Sequence, residues 1–268
     1  MNRNVVTKLT GAAAMLLALA PIVASAGTPN PTSAVITERL FNDCPISTVV
    51  SVNNYPSSLS VTDDNLLGCL GFANLHIWRF STDGVTNANF DNNASYSFCA
   101  DVNLSGTGDG EAGLMINPWW SLADGYFNIR STDGEIACFA GRLPFYSFTG
   151  SQGLTYVKGT TVKMEIVYSP NGLSSVSPAT IEYRYTDGSG LHTSGPLAFD
   201  EANPAEDPPH GLWGQLNEAK VGGHFKFFVS QSVGETANVT WSNVCYSNND
   251  VVPVQPTTWG SLKALYNN

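Results

Sequence analysis

The sequence predicts an all-β fold in which antiparallel strands form a two-sheet sandwich. Apolar and polar residues alternate along several segments, most clearly over residues 96–104, 162–168 and 181–185. This alternation is typical of strands that turn one face to a core. Asp-Gly and Asn-Gly pairs separate the segments and favour tight turns. No helical repeat longer than two turns lies between residues 33 and 247, so we predict one sandwich domain over residues 27–247.

The first 26 residues have the pattern of a cleavable export signal, which we expect to be helical. Arg3 and Lys8 precede a short apolar stretch over residues 9–20, and Ala24-Ser25-Ala26 supplies a small-residue cleavage site. The apolar stretch is shorter than the roughly 20 residues that span a bilayer. We therefore expect a secreted or cell-surface protein that begins at Gly27, with an uncleaved N-terminal anchor as the alternative.

The charge balance excludes two classes of partner. The chain has 12 basic and 22 acidic residues, and loss of the export signal leaves 10 basic and 22 acidic residues with a net charge of −12. Nucleic-acid binding requires clustered Lys and Arg, and anionic membrane surfaces attract the same residues. We therefore expect neither partner, and no membrane span after signal cleavage.

The five cysteines all follow the export signal, where disulfides persist. No CxxC spacing indicates zinc or redox chemistry. Spacing does not determine connectivity, but the shortest loop favours Cys44–Cys69, and we pair Cys99 with Cys138 as the second bridge. The fifth cysteine, Cys245, is then a free thiol. Buried reduced cysteines are the alternative.

Four segments together resemble the concanavalin A-like lectin/glucanase superfamily, which includes laminin-G-like domains. They are Asp124–Arg130, Tyr156–Gly159 with the strand that follows it, Thr180–Thr186, and Val239–Val244. The resemblance covers roughly residues 35–247 and implies two curved antiparallel sheets in jelly-roll order. It does not choose between binding, catalysis and a structural role.

Familiar catalytic motifs are missing from the sequence. The Glu-x-Asp-x-Glu pattern of the superfamily's glucanases is absent, and Asp109-Gly-Glu111 and Asp133-Gly-Glu135 favour turns. The strand pair of alginate lyases, Gln-x-His with Tyr-x-Lys, is represented only by Tyr156-Val-Lys158. Gly-x-Ser-x-Gly and His-Glu-x-x-His are also absent. We therefore predict no catalytic residue.

Aromatic and arginine side chains are the candidates for ligand binding. Aromatic rings stack on the apolar faces of sugars, and polar side chains bind sugar hydroxyls. Adjacent tryptophans on a regular strand point to opposite faces, so one of Trp119 and Trp120 is expected to be on the outer face or in a loop. For each aromatic residue, packing in the core is the alternative. The candidates are Trp119, Trp120, Tyr126, Arg130, Arg142, Tyr146 and Trp213.

A Pro-rich acidic loop over residues 195–214 offers oxygen ligands for a structural calcium ion. Its candidate ligands are Asp200, Glu201, Glu206 and Asp207. The superfamily resemblance also suggests structural calcium. Solvated turn residues are the alternative interpretation, because Asp is common in turns. We expect no other cofactor.

The C-terminal residues 248–268 predict a Pro-containing linker followed by a short helix. Trp259, Leu262, Leu265 and Tyr266 form one apolar stripe, and Lys263 lies off it. The ending resembles tails with a Trp-Gly-x-x-Lys-x-x-Tyr pattern on exported bacterial proteins. The resemblance implies a sorting signal for secretion or surface-attachment machinery. Docking of the helix on the chain's own sandwich is the alternative.

These observations lead first to a secreted, non-catalytic binding module for a glycan or polysaccharide. One alternative is a polysaccharide-cleaving enzyme, which would place paired carboxylates or a Tyr/His/Arg cluster in the cleft of a sheet. Another is a structural or surface-display protein, for which we expect a flat or filled concave sheet.

Overall fold

The computed structural model describes residues 29–117, 124–140, 143–200, 213–215 and 217–249. The predicted export signal and all but the first two residues of the predicted tail lie outside these ranges. Within the described ranges, no helix is long and apolar enough to cross a bilayer.

The chain forms two antiparallel sheets, which confirms the predicted all-β sandwich. The seven-stranded sheet has the order β1 (Ser33–Asn42), β4 (Asn74–Ser81), β14 (Lys220–Phe227), β6 (Gly110–Asn117), β7 (Tyr126–Arg130), β8 (Ile136–Phe139) and β9 (Tyr146–Ser147). The eight-stranded sheet has the order β12 (Gly190–Thr193), β11 (Thr180–Asp187), β10 (Thr161–Ser169), β5 (Tyr96–Gly106), β15 (Thr236–Asn248), β3 (Ser58–Asp64) and β2 (Thr48–Asn54), with β13 (Leu197–Ala198) paired to β11. The helix α1 spans Phe148–Gln152.

The strand order agrees with a jelly-roll connection between the sheets. β14 lies between β4 and β6, and β15 lies between β5 and β3. Among the described strands, the last two therefore occupy internal positions, one in each sheet.

The core lies between the two sheets. It consists of the apolar residues that the alternating pattern predicts to point inward. On β5, Phe98, Val102 and Leu104 are buried, as are Met164 and Ile166 on β10. The opposite side of the eight-stranded sheet is lined by small polar side chains that are partly exposed. This sheet therefore has one apolar and one polar face, as antiparallel sheets commonly do.

Trp241 ties the two sheets together. It lies on β15, is fully buried, and donates its indole N–H to the carbonyl oxygen of Gly113 on β6 at 3.0 Å. Its ring also meets Trp78 of β4 edge-to-face, with centroids 6.3 Å apart. One side chain of the eight-stranded sheet thus contacts two strands of the other sheet.

One of the two predicted disulfides is confirmed and the other is wrong. Cys44 is bonded to Cys69, but Cys99 is bonded to Cys245, and Cys138 is a buried free thiol. Cys138 points into the core from β8, whereas Cys99 lies on the outward side of β5. A cross-link between them would have to pass through a sheet.

A β-bulge explains why Cys245 is the partner of Cys99. Strict alternation along β15 would put Cys245 on the same side as Trp241, inside the core. The register shifts between Ser242 and Cys245, and Asn243 has a positive φ of 51°. The extra residue places Cys245 directly opposite Cys99 on the outward side, with Cα atoms 5.0 Å apart.

Candidate functional site

The candidate site is the outer face of the seven-stranded sheet, which is the side turned away from the eight-stranded sheet. On β14, Phe225 and Phe227 pack in the core, so His224 and Lys226 point outward. The neighbouring strands add Leu75, Ile77, Arg79, Glu111, Met115, Asn117, Tyr126 and Asn128 to this face. Except for Lys226, all of these side chains are buried. Burying polar side chains is costly, so their concentration on this face indicates a candidate functional site.

His224 and Tyr126 form the centre of this face. Their ring centroids are 4.4 Å apart, although β6 lies between their strands. His224 is 1 % exposed, and neither ring nitrogen meets the distance and angle of a hydrogen bond within the described part of the chain, although the backbone of Leu114 is near enough to raise the pKa of the imidazole slightly against the effect of burial. Buried polar atoms are nearly always paired, so an imidazole with two unpaired nitrogens calls for a functional explanation.

Two glycines leave room for this ring pair. Gly113 lies opposite His224 on β6, and Gly222 precedes it on the same side of β14. A Cβ at Gly113 would lie 2.1 Å from the carbonyl oxygen of Phe127, and one at Gly222 would lie 1.9 Å from that of Trp78. Only glycine fits at either position without moving the neighbouring strand.

Burial keeps both rings neutral at physiological pH. It lowers the pKa of His224 well below its ordinary value, and the positive charge of Lys226 lowers it further. Burial also raises the pKa of Tyr126, and the nearby carboxylates of Asp124 and Glu111 add to the increase. A neutral imidazole can accept a proton and a neutral phenol can donate one, but these two shifts make His224 a weaker base and Tyr126 a weaker acid than usual.

Glu111 organises the polar side chains next to Tyr126. One of its carboxylate oxygens accepts a hydrogen bond from Nζ of Lys226 at 2.7 Å, and the other accepts one from Nδ2 of Asn128 at 3.0 Å. Nζ of Lys226 also lies 4.9 Å from the ring centroid of Tyr126. Glu111 and Lys226 are directly opposite in the β6–β14 ladder, so strand register fixes this ion pair.

Arg79 supplies a second cation on this face. Its Nε and Nη2 donate to Oδ1 of Asn117 at 3.1 and 2.7 Å. Asn117 lies two strands away, and the intervening β14 presents Gly222, which has no side chain to obstruct the contact. Burial lowers the pKa of Arg79 to about 10, so it remains a cation at neutral pH.

A cleft of about 280 Å³ opens on this face. Leu75, Tyr126 and Lys226 contribute outward side chains to its lining, together with Asp124, Ala73, Phe41 and Phe72. Phe41 and Phe72 are 55 % and 62 % exposed. The cleft therefore combines two exposed rings with a lysine and a tyrosine.

The loop that carries Phe72 is rigidly held. The Cys44–Cys69 disulfide anchors the chain just before Phe72, and Oδ2 of Asp43 accepts a hydrogen bond from the backbone N–H of Phe72 at 2.9 Å. Gly71 allows this contact, because a Cβ there would lie 2.4 Å from Cβ of Asp43. Phe72 is thus an exposed ring in a fixed position.

Of the seven predicted ligand-binding residues, the structure brings only Tyr126 to the cleft. Arg130 is held by Asp133 and Glu135 in the β7–β8 turn. Tyr146 lies on β9, at the far edge of the sheet, where it packs on Phe148. Trp213 is half-buried away from the cleft lining, and Trp119, Trp120 and Arg142 lie outside the described residues.

The sequence missed His224, Lys226 and Glu111. One pattern in the sequence could have indicated Lys226. On β14, residues alternate in direction, so Lys226 points away from the core side of Phe225 and Phe227. The turn predicted at Asp109-Gly110-Glu111 is wrong, because β6 begins at Gly110 and carries Glu111 in a strand.

Asp200 is the one predicted calcium ligand that lies within the described residues, and it is not part of a metal site there. Asp200 is exposed, while Glu201, Glu206 and Asp207 lie outside the described residues. Among the described side chains, no three His, Cys, Asp or Glu residues converge on one point. Calcium binding by this loop stays a prediction.

Replacing His224 with glutamine is expected to reduce the loss of stability in acid. Because the folded state lowers the pKa of His224, the unfolded state binds more protons below pH 6.5, and stability falls as the pH falls. This contribution has a slope of up to about 1.4 kcal/mol per pH unit. Urea unfolding at a series of pH values would measure it.

The variant Thr240→Ala, on the outward side of β15, is the control for this experiment: it removes no titratable group and should keep the acid dependence of the parent chain. If the His224→Gln chain shows the same slope as the parent, the imidazole is not buried in its neutral form.

No protein-family model matches this chain, and no curated protein matches it. Similar solved structures include a family 7 alginate lyase in complex with substrate, with a TM-score of 0.44, 9 % identity, and coverage of 75 % of this chain and 82 % of the lyase. The marine PL7 alginate lyase of Zobellia galactanivorans has a TM-score of 0.43, 13 % identity, and coverage of 75 % and 85 %. A seed lectin of Lotus tetragonolobus has a TM-score of 0.39, 12 % identity, and coverage of 84 % and 97 %.

Proposed function

We propose that this chain is an exported β-sandwich that binds a glycan in the cleft on the outer face of the seven-stranded sheet. The observation that carries the proposal is the pair of exposed rings, Phe41 and Phe72, beside the outward side chains of Tyr126 and Lys226. Exposed aromatic rings at a cleft stack on the apolar C–H faces of sugars. Lys226 and Asp124 supply polar partners for sugar hydroxyls.

The size of the cleft suits a short section of a polysaccharide. Its volume of about 280 Å³ lies at the small end of the range for small-molecule sites. A polymer would place one or two sugar units in the cleft and extend beyond both rings.

Export is part of the proposal. Two disulfides suit an oxidising compartment, and the predicted signal over residues 1–26 provides the route. We also propose that the tail over residues 248–268 is read by secretion or surface-attachment machinery.

Alanine at Phe41 and Phe72 is expected to weaken polysaccharide binding. One ring contact corresponds to about 0.5–1.5 kcal/mol, so each substitution should weaken binding roughly 2- to 10-fold. Affinity electrophoresis through gels with neutral polysaccharides (laminarin, mannan) and acidic ones (alginate, pectin) would measure retention.

Phe145→Ala is the matched control, because Phe145 is 68 % exposed and lies beside β9 at the opposite edge of the sheet. It should leave retention unchanged. If none of the polysaccharides slows the migration of the parent chain, glycan binding is contradicted and a structural role is favoured.

Polysaccharide cleavage is a second candidate function, which the His224–Tyr126 pair favours. A neutral base and a neutral acid in ring contact are suited to move a proton from one atom of a substrate to another. Arg79 and Lys226 are the nearby cations that would stabilise negative charge formed in such a reaction. Cleavage would require the nearly inaccessible ring of His224 to open toward a substrate in the cleft, whereas binding in the cleft would not.

Cleavage is tested by following new reducing ends with the parent chain, His224→Gln and Tyr126→Phe. Activity in the parent that both variants lose would establish the second function. Retention without new reducing ends would leave binding in place and remove cleavage.

A further inference from the structure

The edge strand β2 lacks the features that normally prevent strands from pairing with other molecules. It ends the eight-stranded sheet, and within the described residues its one strand partner is β3. Val50 and Val52 on its outward side are 57 % and 44 % exposed. An exposed edge offers unpaired backbone N–H and C=O groups, and natural proteins usually protect it with charges, prolines or bulges.

The edge strand of the other sheet has such protection. The register of β1 is interrupted between Thr37 and Phe41, and Arg39 in this bulge has a positive φ of 54°. A bulge twists an edge strand away from a flat ladder. β2 pairs with β3 without any register shift, so it is flat and continuous from Thr48 to Asn54.

The charge pattern around β2 favours self-association. The chain has a net charge of −10, yet no charged residue occurs from Cys44 to Thr62. The nearest charged side chains, Arg39 and Asp64, both lie at the Thr48 end of β2. In an antiparallel pair this end faces the Asn54 end of the other copy, so no like charges are opposed, whereas like charges opposite each other destabilise a strand pair.

We propose that two copies of this chain pair through β2 in an antiparallel ladder, with a two-fold axis at Ser51. This register places Val50 of each copy opposite Val52 of the other. The interface therefore contains two identical valine pairs that shield each other from solvent. The strand is complementary to itself in this arrangement, as an isologous interface requires. The resulting sheet is continuous across the dimer.

The cleft described above stays open in this dimer. β2 belongs to the eight-stranded sheet, while the cleft lies on the outer face of the seven-stranded sheet. The inference therefore does not depend on the proposed function, although each dimer would present two clefts.

A seven-residue ladder is small beside stable interfaces of about 800 Å² per partner, so we expect a weak dimer that dissociates on dilution. Sedimentation velocity over a concentration series of the full mature chain should show a monomer–dimer equilibrium. Val50→Lys combined with Val52→Lys should abolish the dimer, because each lysine then faces a lysine of the other copy.

The register is tested by reversing one charge. Val50→Lys combined with Val52→Asp places each lysine opposite an aspartate of the other copy, so this variant should dimerise again. Val176→Lys is the control for added charge, because Val176 is 92 % exposed between β10 and β11, and it should leave the dimer unchanged. Circular dichroism would verify that each variant folds.

A parent chain that stays monomeric at the highest concentration would overturn the inference. A dimer that persists in the double-lysine variant would overturn it as well, as would a monomeric state of the variant that combines Val50→Lys with Val52→Asp. Open-ended assembly of the parent would exclude a closed two-fold pair.

Discussion

Replacing Trp241 with alanine is expected to destabilise the protein by about 3–5 kcal/mol, a large part of the stability of a typical domain. The substitution removes a fully buried tryptophan that contacts both sheets and leaves a cavity beside Trp78. It also leaves the carbonyl oxygen of Gly113 without the indole N–H that it accepts. Urea unfolding followed by tryptophan fluorescence and circular dichroism would measure the loss.

Thr240→Ala is the matched control, because Thr240 is the preceding residue on β15 and points to the outward side of the sheet. Its substitution should change the stability by about 0.5 kcal/mol or less. Equal effects of the two substitutions would contradict the inter-sheet position of Trp241.

Removal of the Cys99–Cys245 disulfide is expected to have the second large effect. The chain-entropy model assigns roughly 4–5 kcal/mol to a cross-link between residues that are 146 positions apart, and about 3 kcal/mol to one between residues 25 positions apart. The Cys99→Ser/Cys245→Ser variant should therefore be less stable than the Cys44→Ser/Cys69→Ser variant. Denaturant unfolding of both variants without reductant would compare them.

The parent chain itself can be used to test which cysteines are paired. In the parent chain, alkylation after unfolding should label Cys138 alone, because it is the free thiol. Peptides in which Cys138 is linked to Cys99 would contradict the Cys99–Cys245 disulfide. A smaller loss for the longer loop would contradict the entropic origin of the stabilisation.

The alternation of apolar and polar residues was sufficient to predict β5, β10 and β11, which are three adjacent strands of the eight-stranded sheet. β5 and β10 have one face in the core and one polar outward face, and the sequence shows this period directly. The disulfide pairing was not predictable in the same way. The bulge at Asn243 reverses the direction of every later side chain on β15, and nothing in the residue types around it marks that position.

The seven-stranded sheet was harder to interpret because both of its faces are buried. β4 and β6 are buried at every position, so their sequences show no alternation that would separate an outer from an inner face. Of the aromatic candidates, Tyr126 lies in the lining of the cleft. Its partner His224 lies almost a hundred residues later in the chain and is brought beside it only by the insertion of β14 next to β6.

The internal positions of β14 and β15 have a consequence for the biosynthesis of the protein. A nascent chain that ends before residue 220 lacks a strand inside each sheet, so its earlier strands cannot assemble into either final ladder. Pairings between strands that are far apart in the sequence make folding slow. We therefore expect both sheets to close only after residues 220–248 have been synthesised, and the earlier strands to stay exposed to pairing with other chains until then.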